Sequence, residues 1–280
     1  MILSRLVRQS LLRLCLSMIA AGMFAQAAAS AEYEPMVGQE GKDVIWVPTC
    51  QALVDKMLDM AKMIPQDFVI DLGSGDGRTV ITAAKRGARA LGIEYNPDMV
   101  ELSKRNAAKE GVSDRVQFVK ADLFESDFSQ GTVITMFLMP EINLKLRPQI
   151  LGFKPGTRVV SNSFNMGEWV PDETATMDNK EDCGYYNTAL LWIVPAKVEG
   201  TWKLPEGELK LTQNFQMISG TLNSGTHSVP LLEGKLKGDL ITFRVGDANY
   251  IGRVTGSTIQ GTVESGGRTT GWTATQVRKG

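Results

Sequence analysis

Residues 69–80, VIDLGSGDGRTV, place an apolar run, a string of glycines and the start of a helical pattern in immediate succession, and that order restricts the fold more than any other feature. Asp71, Gly73, Gly75 and Gly77 give the spacing D-x-G-x-G-x-G. Glycines between a strand and a helix let the backbone turn tightly and approach a ligand, while the unpaired N–H groups of the helix start face its anionic parts. A buried strand feeding such a turn belongs to a parallel sheet whose crossovers are helices.

Residues 67–194 continue that alternation. RALGIEYN, RVQFVKAD, GTVITMFLM and GTRVVSNSF read as strands two to five, and YYNTALLWIV as a later antiparallel strand. Between them, RTVITAAKRG reads as a helix closed by Gly87 and EINLKLRPQILGF as another. PDMVELSKRNAAKEG carries Pro97 at the first helical position and stops at Gly111. Upstream, PTCQALVDKMLDMAKMI has apolar residues at helical spacing and is expected to cover one edge of the sheet. After Pro195 the texture changes to about eight short alternating segments separated by turns such as NSG, KGD and SGG. In LITFRVG, Ile241, Phe243 and Val245 share one face, which favours a small antiparallel barrel or sandwich that closes its own edges.

The first thirty-one residues have another character. Arg5, Arg8 and Arg13 precede an uncharged apolar run from Leu14 that ends in small residues at Ala29, Ser30 and Ala31. This reads as a secretory signal peptide cut after Ala31, which makes the protein periplasmic or secreted, with a mitochondrial presequence or a membrane anchor as alternatives. The run is too short in strongly apolar residues for a spanning helix, so no stable membrane span is expected after cleavage. Without the leader the chain carries 27 basic and 31 acidic residues, a net of −4, which argues against nucleic acid as a partner. Two cysteines remain, Cys50 and Cys183; a disulfide between them and two free thiols are both open.

The glycine loop departs from the dinucleotide pattern G-x-G-x-x-G, because Arg78 stands where the third glycine belongs, and no Lys-Ser/Thr closes it as a phosphate loop. Two more acids fall at strand ends. Glu94, 19 residues after Gly75, is placed to accept from ribose hydroxyls, and Asp122 from an adenine amino group. Three acids at three successive strand ends suit a cofactor with a positive sulfonium and repel a pyrophosphate. The lone histidine, His227, lies among the barrel turns, which disfavours a Ser-His-Asp hydrolase and a histidine-based metal site.

VIDLGSGDGR, GIEYNP and KADLF resemble the three cofactor motifs of class I S-adenosylmethionine-dependent methyltransferases. VPT, DLGSGDGR, MFLMPEINLKLRP and FNMGEWVPD are similar to one branch, the lysine methyltransferases of the ATP synthase c-subunit and adenine nucleotide carrier type and their bacterial relatives. The resemblance spans residues 45–194 and implies a Rossmann-like α/β sheet with flanking helices. With the residue readings above, it divides the chain into a signal peptide (1–31), an extension with a cap helix (32–66), a methyltransferase domain (67–195) and an all-β domain (196–280). It also implies that Asp71, Gly73, Ser74, Gly75 and Gly77 cradle the methionine part, that Glu94 takes the ribose, and that Tyr95, Asn96, Asp122 and Leu123 border the adenine. Thr49 would close over the cofactor. Phe137, Leu138, Met139 and Pro140 would wall the acceptor channel, with Asn143, Trp169 and Asp172 as further candidates. No Asn/Asp-Pro-Pro-aromatic motif follows strand four, which argues against an amide or base amino acceptor. The expected substrate is a protein with an accessible lysine; a small-molecule acceptor and a non-catalytic exported binding protein are the alternatives. No catalytic base, metal or oligomeric state is assigned.

Overall fold

The computed structural model describes residues 32–178 and 183–277, so the proposed leader lies outside the described residues. From Met36 on, the described residues form one compact unit. Its first part is a seven-stranded sheet with strands β1 (Phe68–Leu72), β2 (Arg89–Glu94), β3 (Val116–Lys120), β4 (Val133–Met136), β5 (Arg158–Asn162), β6 (Glu173–Thr176) and β7 (Thr188–Ile193). They lie in the order β3-β2-β1-β4-β5-β7-β6. The first five are parallel, and β7 runs antiparallel between β5 and β6. Rossmann-like, the sheet reverses its strand order between β1 and β4, where open α/β sheets bind ligands beyond the carboxyl ends of their strands.

Helices cover both faces. Helix α1 (Gln51–Met60), α2 (Arg78–Lys85) and α3 (Pro97–Lys109) share one core with Val69, Val133 and Val160, whereas α4 (Pro140–Ile150) packs on the other with Ile70, Ile134 and Val159. Pro97 stands at the first position of α3, and the Asn96 side chain caps it by accepting from the Asp98 N–H at 2.9 Å. The sequence reading placed helix α1 over an edge of the sheet; it packs instead on a face. Its stripe of Leu53, Val54, Met57 and Leu58 is almost wholly buried, and only a sheet face, here over β5 and β7 beside α2, removes that much apolar surface from water. Strand β6 has no counterpart in the sequence reading. Among its residues only Ala175 is even partly buried, so the strand shows no apolar alternation and rests on backbone pairing with β7.

The remaining strands, β8 (Gly200–Leu204), β9 (Gly207–Asn214), β10 (Met217–Ser224), β11 (His227–Lys237), β12 (Leu240–Val245), β13 (Ala248–Thr255), β14 (Thr258–Ser265) and β15 (Arg268–Gln276), close into an antiparallel barrel. Barrel and sandwich were both open from sequence; pairing of β15 with β8 makes it a barrel. Its interior holds Trp202, Leu209, Leu236, Ile241, Phe243, Ile259 and Trp272. Phe243, Tyr250 and Trp272 pack ring on ring, with centroids 4.7–5.7 Å apart.

Among the described residues no helix is long and apolar enough to cross a membrane.

Candidate active site

Because β1 to β5 run in parallel, their carboxyl ends deliver side chains to one rim of the sheet. Asp71 comes from the end of β1, Glu94 is the last residue of β2, Asp122 follows β3, Phe137 follows β4, and Phe164 follows β5. They line one cleft of about 450 Å³, a volume suited to a nucleoside-sized ligand. Its walls include Thr49, Gly73, Ser74, Gly75, Tyr95, Asn96, Leu123, Leu138 and Met139. Gly77 does not line it. At φ 83° Gly77 turns the chain into α2, and a Cβ there would lie 2.8 Å from the Phe118 ring and 2.9 Å from the Ser103 Cβ. Its role is close packing of the turn against α3 and β3.

The acids are set by different neighbours. Asp71 is buried, accepts from the Thr135 hydroxyl at 2.6 Å, and has its pKa pushed up to about 7. Burial is the main cause; the Asp76 and Glu94 charges add to it, and the Thr135 and Thr79 hydroxyls oppose it. Glu94 accepts the Gly75 N–H on one oxygen and the Asn96 N–H on the other, both at 2.9 Å, which ties the end of β2 to the glycine loop. Asp122 pairs with Lys42 and accepts the Phe124 N–H, and these contacts hold its carboxyl below the ordinary range.

A hairpin strap forms one side of the cleft, a feature absent from the sequence reading. Residues 38–46 fold back through the Glu40–Ile45 bridge, with Trp46 donating its N–H to the Gln39 carbonyl at 2.9 Å. The Trp46 indole lies so close to Gly75 that a Cβ there would be 2.6 Å from its Nε1, and Lys42 sits 4.9 Å from the Tyr95 ring centre while it reaches Asp122. Thr49 ends the strap. Its hydroxyl accepts from Asn162 Nδ2 at 3.2 Å, and its carbonyl accepts from Arg78 Nη1 at 2.8 Å. Arg78, known from sequence only as the missing glycine, also forms a two-pronged pair with Asp76. Next to Thr49, Cys50 is bonded to Cys183, with Cα atoms 5.1 Å apart, which closes the question left open by sequence.

Four candidates for the acceptor side lie elsewhere. Pro140 is the first residue of α4 and is not part of the cleft wall. Asn143 is buried behind the wall and donates from Nδ2 to the Phe164 and Asn165 carbonyls, each at 3.2 Å. Trp169 is buried against Trp192 and Phe215, and Asp172 accepts the Ile193 N–H and faces Lys235 of the barrel at 3.5 Å. Pro140 therefore starts a helix, Asn143 holds the turn behind the wall, and Trp169 and Asp172 serve packing and barrel docking. In their place Phe164 and Tyr186, aromatic residues that no period singles out, join Phe137 on the wall.

Residues 71–173 match the model of the ANTKMT methyltransferase domain. A protein-lysine N-methyltransferase of Saccharolobus islandicus is 41% identical over 154 residues, which cover 54% of this chain and 94% of that protein. The chain belongs to the ANTKMT-type methyltransferase family. The ATP synthase c-subunit lysine N-methyltransferase of Xenopus laevis is 36% identical over 131 residues, 45% of this chain and 56% of its own length. A Salinibacter ruber structure described as an RNA methyltransferase in complex with S-adenosyl-L-homocysteine superposes with a TM-score of 0.51 at 45% identity, covering 54% of this chain and 96% of that one. The methyltransferase uses S-adenosylmethionine, which supplies a methyl group on a positive sulfonium.

The cleft suits that molecule by its own chemistry. Ser74 Oγ is buried at the cleft without a hydrogen-bond partner, Gly75 leaves no room for a Cβ beside Trp46 and Gly73 little beside Leu138, and the lining carries six acids against two bases. A cationic ligand relieves that imbalance.

Proposed function

We propose that the enzyme transfers a methyl group from S-adenosylmethionine to the ε-amine of a protein lysine, with Asp71, Gly73, Ser74, Gly75, Glu94, Tyr95, Asn96, Asp122 and Leu123 holding the cofactor and Thr49 closing over it. The observation that carries the acceptor is the 41% identity, over nearly the whole of its length, to a protein-lysine N-methyltransferase. The site's chemistry agrees. An amine must lose a proton before it attacks, and desolvation against Phe137, Leu138, Met139 and Ile142 lowers its affinity for that proton. Alignment against a fixed wall supplies the rest of what a displacement needs.

An RNA acceptor, named for the Salinibacter protein, fits less well. Glu40, Asp43, Asp71, Asp76, Glu94 and Asp122 line the cleft against Lys42 and Arg78, and such a rim repels a phosphate backbone. Shaping of a small-molecule channel by the barrel is also unsupported, since no barrel residue lines the cleft among the described residues. The purified protein, given methyl-labelled S-adenosylmethionine and a total cell extract, is expected to label proteins at lysines. Label confined to RNA or to small molecules would overturn the acceptor reading.

The same proposal places the enzyme outside the cytoplasm, after cleavage at Ala31. The Cys50–Cys183 disulfide supports this, because disulfides persist in oxidising compartments. Such an enzyme depends on a supply of a charged cofactor that does not cross a bilayer unaided. Mass spectrometry of the protein from fractionated cells is expected to find Glu32 at the N-terminus; an intact Met1 would contradict the export reading.

A further inference from the structure

Phe137, Phe164 and Tyr186 come from three separate stretches of chain and meet as one aromatic surface in the cleft. Phe137 and Phe164 stack at 5.9 Å between ring centres, and Tyr186 stands across both at 5.1 and 5.8 Å. Each ring is placed by a dedicated device. Phe137 leaves the end of β4. Phe164 follows Ser163, whose backbone is held at φ 60°, and its carbonyl is gripped by the buried Asn143. Tyr186 lies three residues after Cys183, and Asn187 beside it donates to the Met177 carbonyl at 2.9 Å. The disulfide thus joins two walls of one cleft, the strap that ends at Thr49 and the loop that carries Tyr186.

A left-handed backbone at a non-glycine residue is strained and persists where surrounding contacts impose it. At Ser163 those contacts are a backbone bond to the Thr188 carbonyl at 2.7 Å and a hydroxyl bond to the Asn162 Oδ1 at 2.8 Å. The strained turn, the buried amide and the covalent tie converge on the same three rings. A face of three rings offers quadrupole attraction to a cation and no hydrogen-bond acceptor, apart from the tyrosine oxygen. An ammonium loses one N–H donor with each methyl it gains, while it keeps its charge and grows in size. A polar wall would lose its grip as methyls accumulate; an aromatic wall would not.

We infer that Phe137, Phe164 and Tyr186 form a subsite for an alkylammonium head group, able to hold the acceptor in its methylated as well as its unmethylated form, and that the Cys50–Cys183 disulfide positions its third ring. The inference rests on the acceptor being an amine. It is tested with choline and its neutral carbon isostere 3,3-dimethylbutan-1-ol, titrated by calorimetry into the full chain saturated with S-adenosylhomocysteine. The two probes differ in charge and hardly in shape. Choline is expected to bind at least about fivefold more tightly than the isostere. Tyr186→Ala should abolish that preference, Tyr186→Phe should keep it, and the Cys50→Ser/Cys183→Ser pair should reduce it several-fold. S-adenosylhomocysteine affinity, changing less than about twofold in the two Tyr186 variants, reports that the cleft remains folded. Equal binding of the two probes to the wild-type chain, or an undiminished preference in Tyr186→Ala, would overturn the subsite. Loss of the preference in Tyr186→Phe with S-adenosylhomocysteine binding intact would do the same. Choline is not a protein, so a failure of methyl transfer to protein lysines would leave this result readable on its own.

Discussion

Asp71 carries the sharpest electrostatic consequence in the molecule. Its folded pKa of about 7 lies above the ordinary carboxylate value of 3.8, chiefly through burial, so between those values the folded chain holds a proton that the unfolded chain has released. The ligand-free protein therefore loses stability from this group as pH rises from about 4 to about 7, and its ionised form is the destabilising one. A cation in the cleft reverses the preference. S-adenosylmethionine affinity is predicted to rise with pH up to about 7, by a factor approaching ten per unit, with a proton released on binding in calorimetry below pH 7. Asp71→Asn should flatten that profile and weaken binding, yet raise the melting temperature of the ligand-free protein at pH 8 and not at pH 5, where the acid is already neutral. Gly77 makes a steric prediction at the same scale. Alanine there meets Phe118 and Ser103 inside 3 Å at a positive φ, and Gly77→Ala should cost about 1–3 kcal/mol in chemical denaturation.

The strap is the element whose contribution is most separable. Trp46 covers Gly75, and Lys42 holds Asp122, but neither side chain belongs to the buried core. Trp46→Ala is predicted to weaken S-adenosylmethionine binding about tenfold while leaving the denaturation midpoint nearly unchanged; equal losses in both would show that the strap is structural. Nothing in the sequence marks this hairpin, because residues 38–46 have no apolar period and depend on contacts with a loop thirty residues away. Strand β6 escaped for a related reason, since its exposed residues leave no pattern to read. The glycine loop and the three acids were legible because each lies at the carboxyl end of a strand that the sequence pattern marks, and chain order alone brings parallel strand ends to one rim. Tyr186 was not, because its place depends on a disulfide across 133 residues whose formation the spacing could not decide. Trp169 and Asp172 misled by lying in a stretch that resembles the family's, although in this chain their side chains serve the joint with the barrel.

That joint organises the whole molecule. Phe215, at the β9–β10 turn, lies 6.0 Å from Trp169 in a stack and under the Arg147 guanidinium at 5.3 Å. Gln216 donates to the Val170 carbonyl at 2.7 Å, and the Gly238 carbonyl accepts from the Ala196 N–H at 2.8 Å. These contacts surround the start of β5 and the end of β7, at the end of the sheet opposite the cleft, so the barrel buttresses the fold without touching the site. The wild-type protein is predicted to melt in one transition, and Phe215→Ala to split it into two or lower it by several degrees, with S-adenosylmethionine affinity changed less than twofold. The account as a whole stands on the cleft being a working cofactor site. Its most direct test is a calorimetric titration of the purified protein with S-adenosylmethionine beside a Glu94→Ala variant. Saturable one-to-one binding that the variant loses is the predicted result; absence of binding by the folded wild-type protein would contradict it.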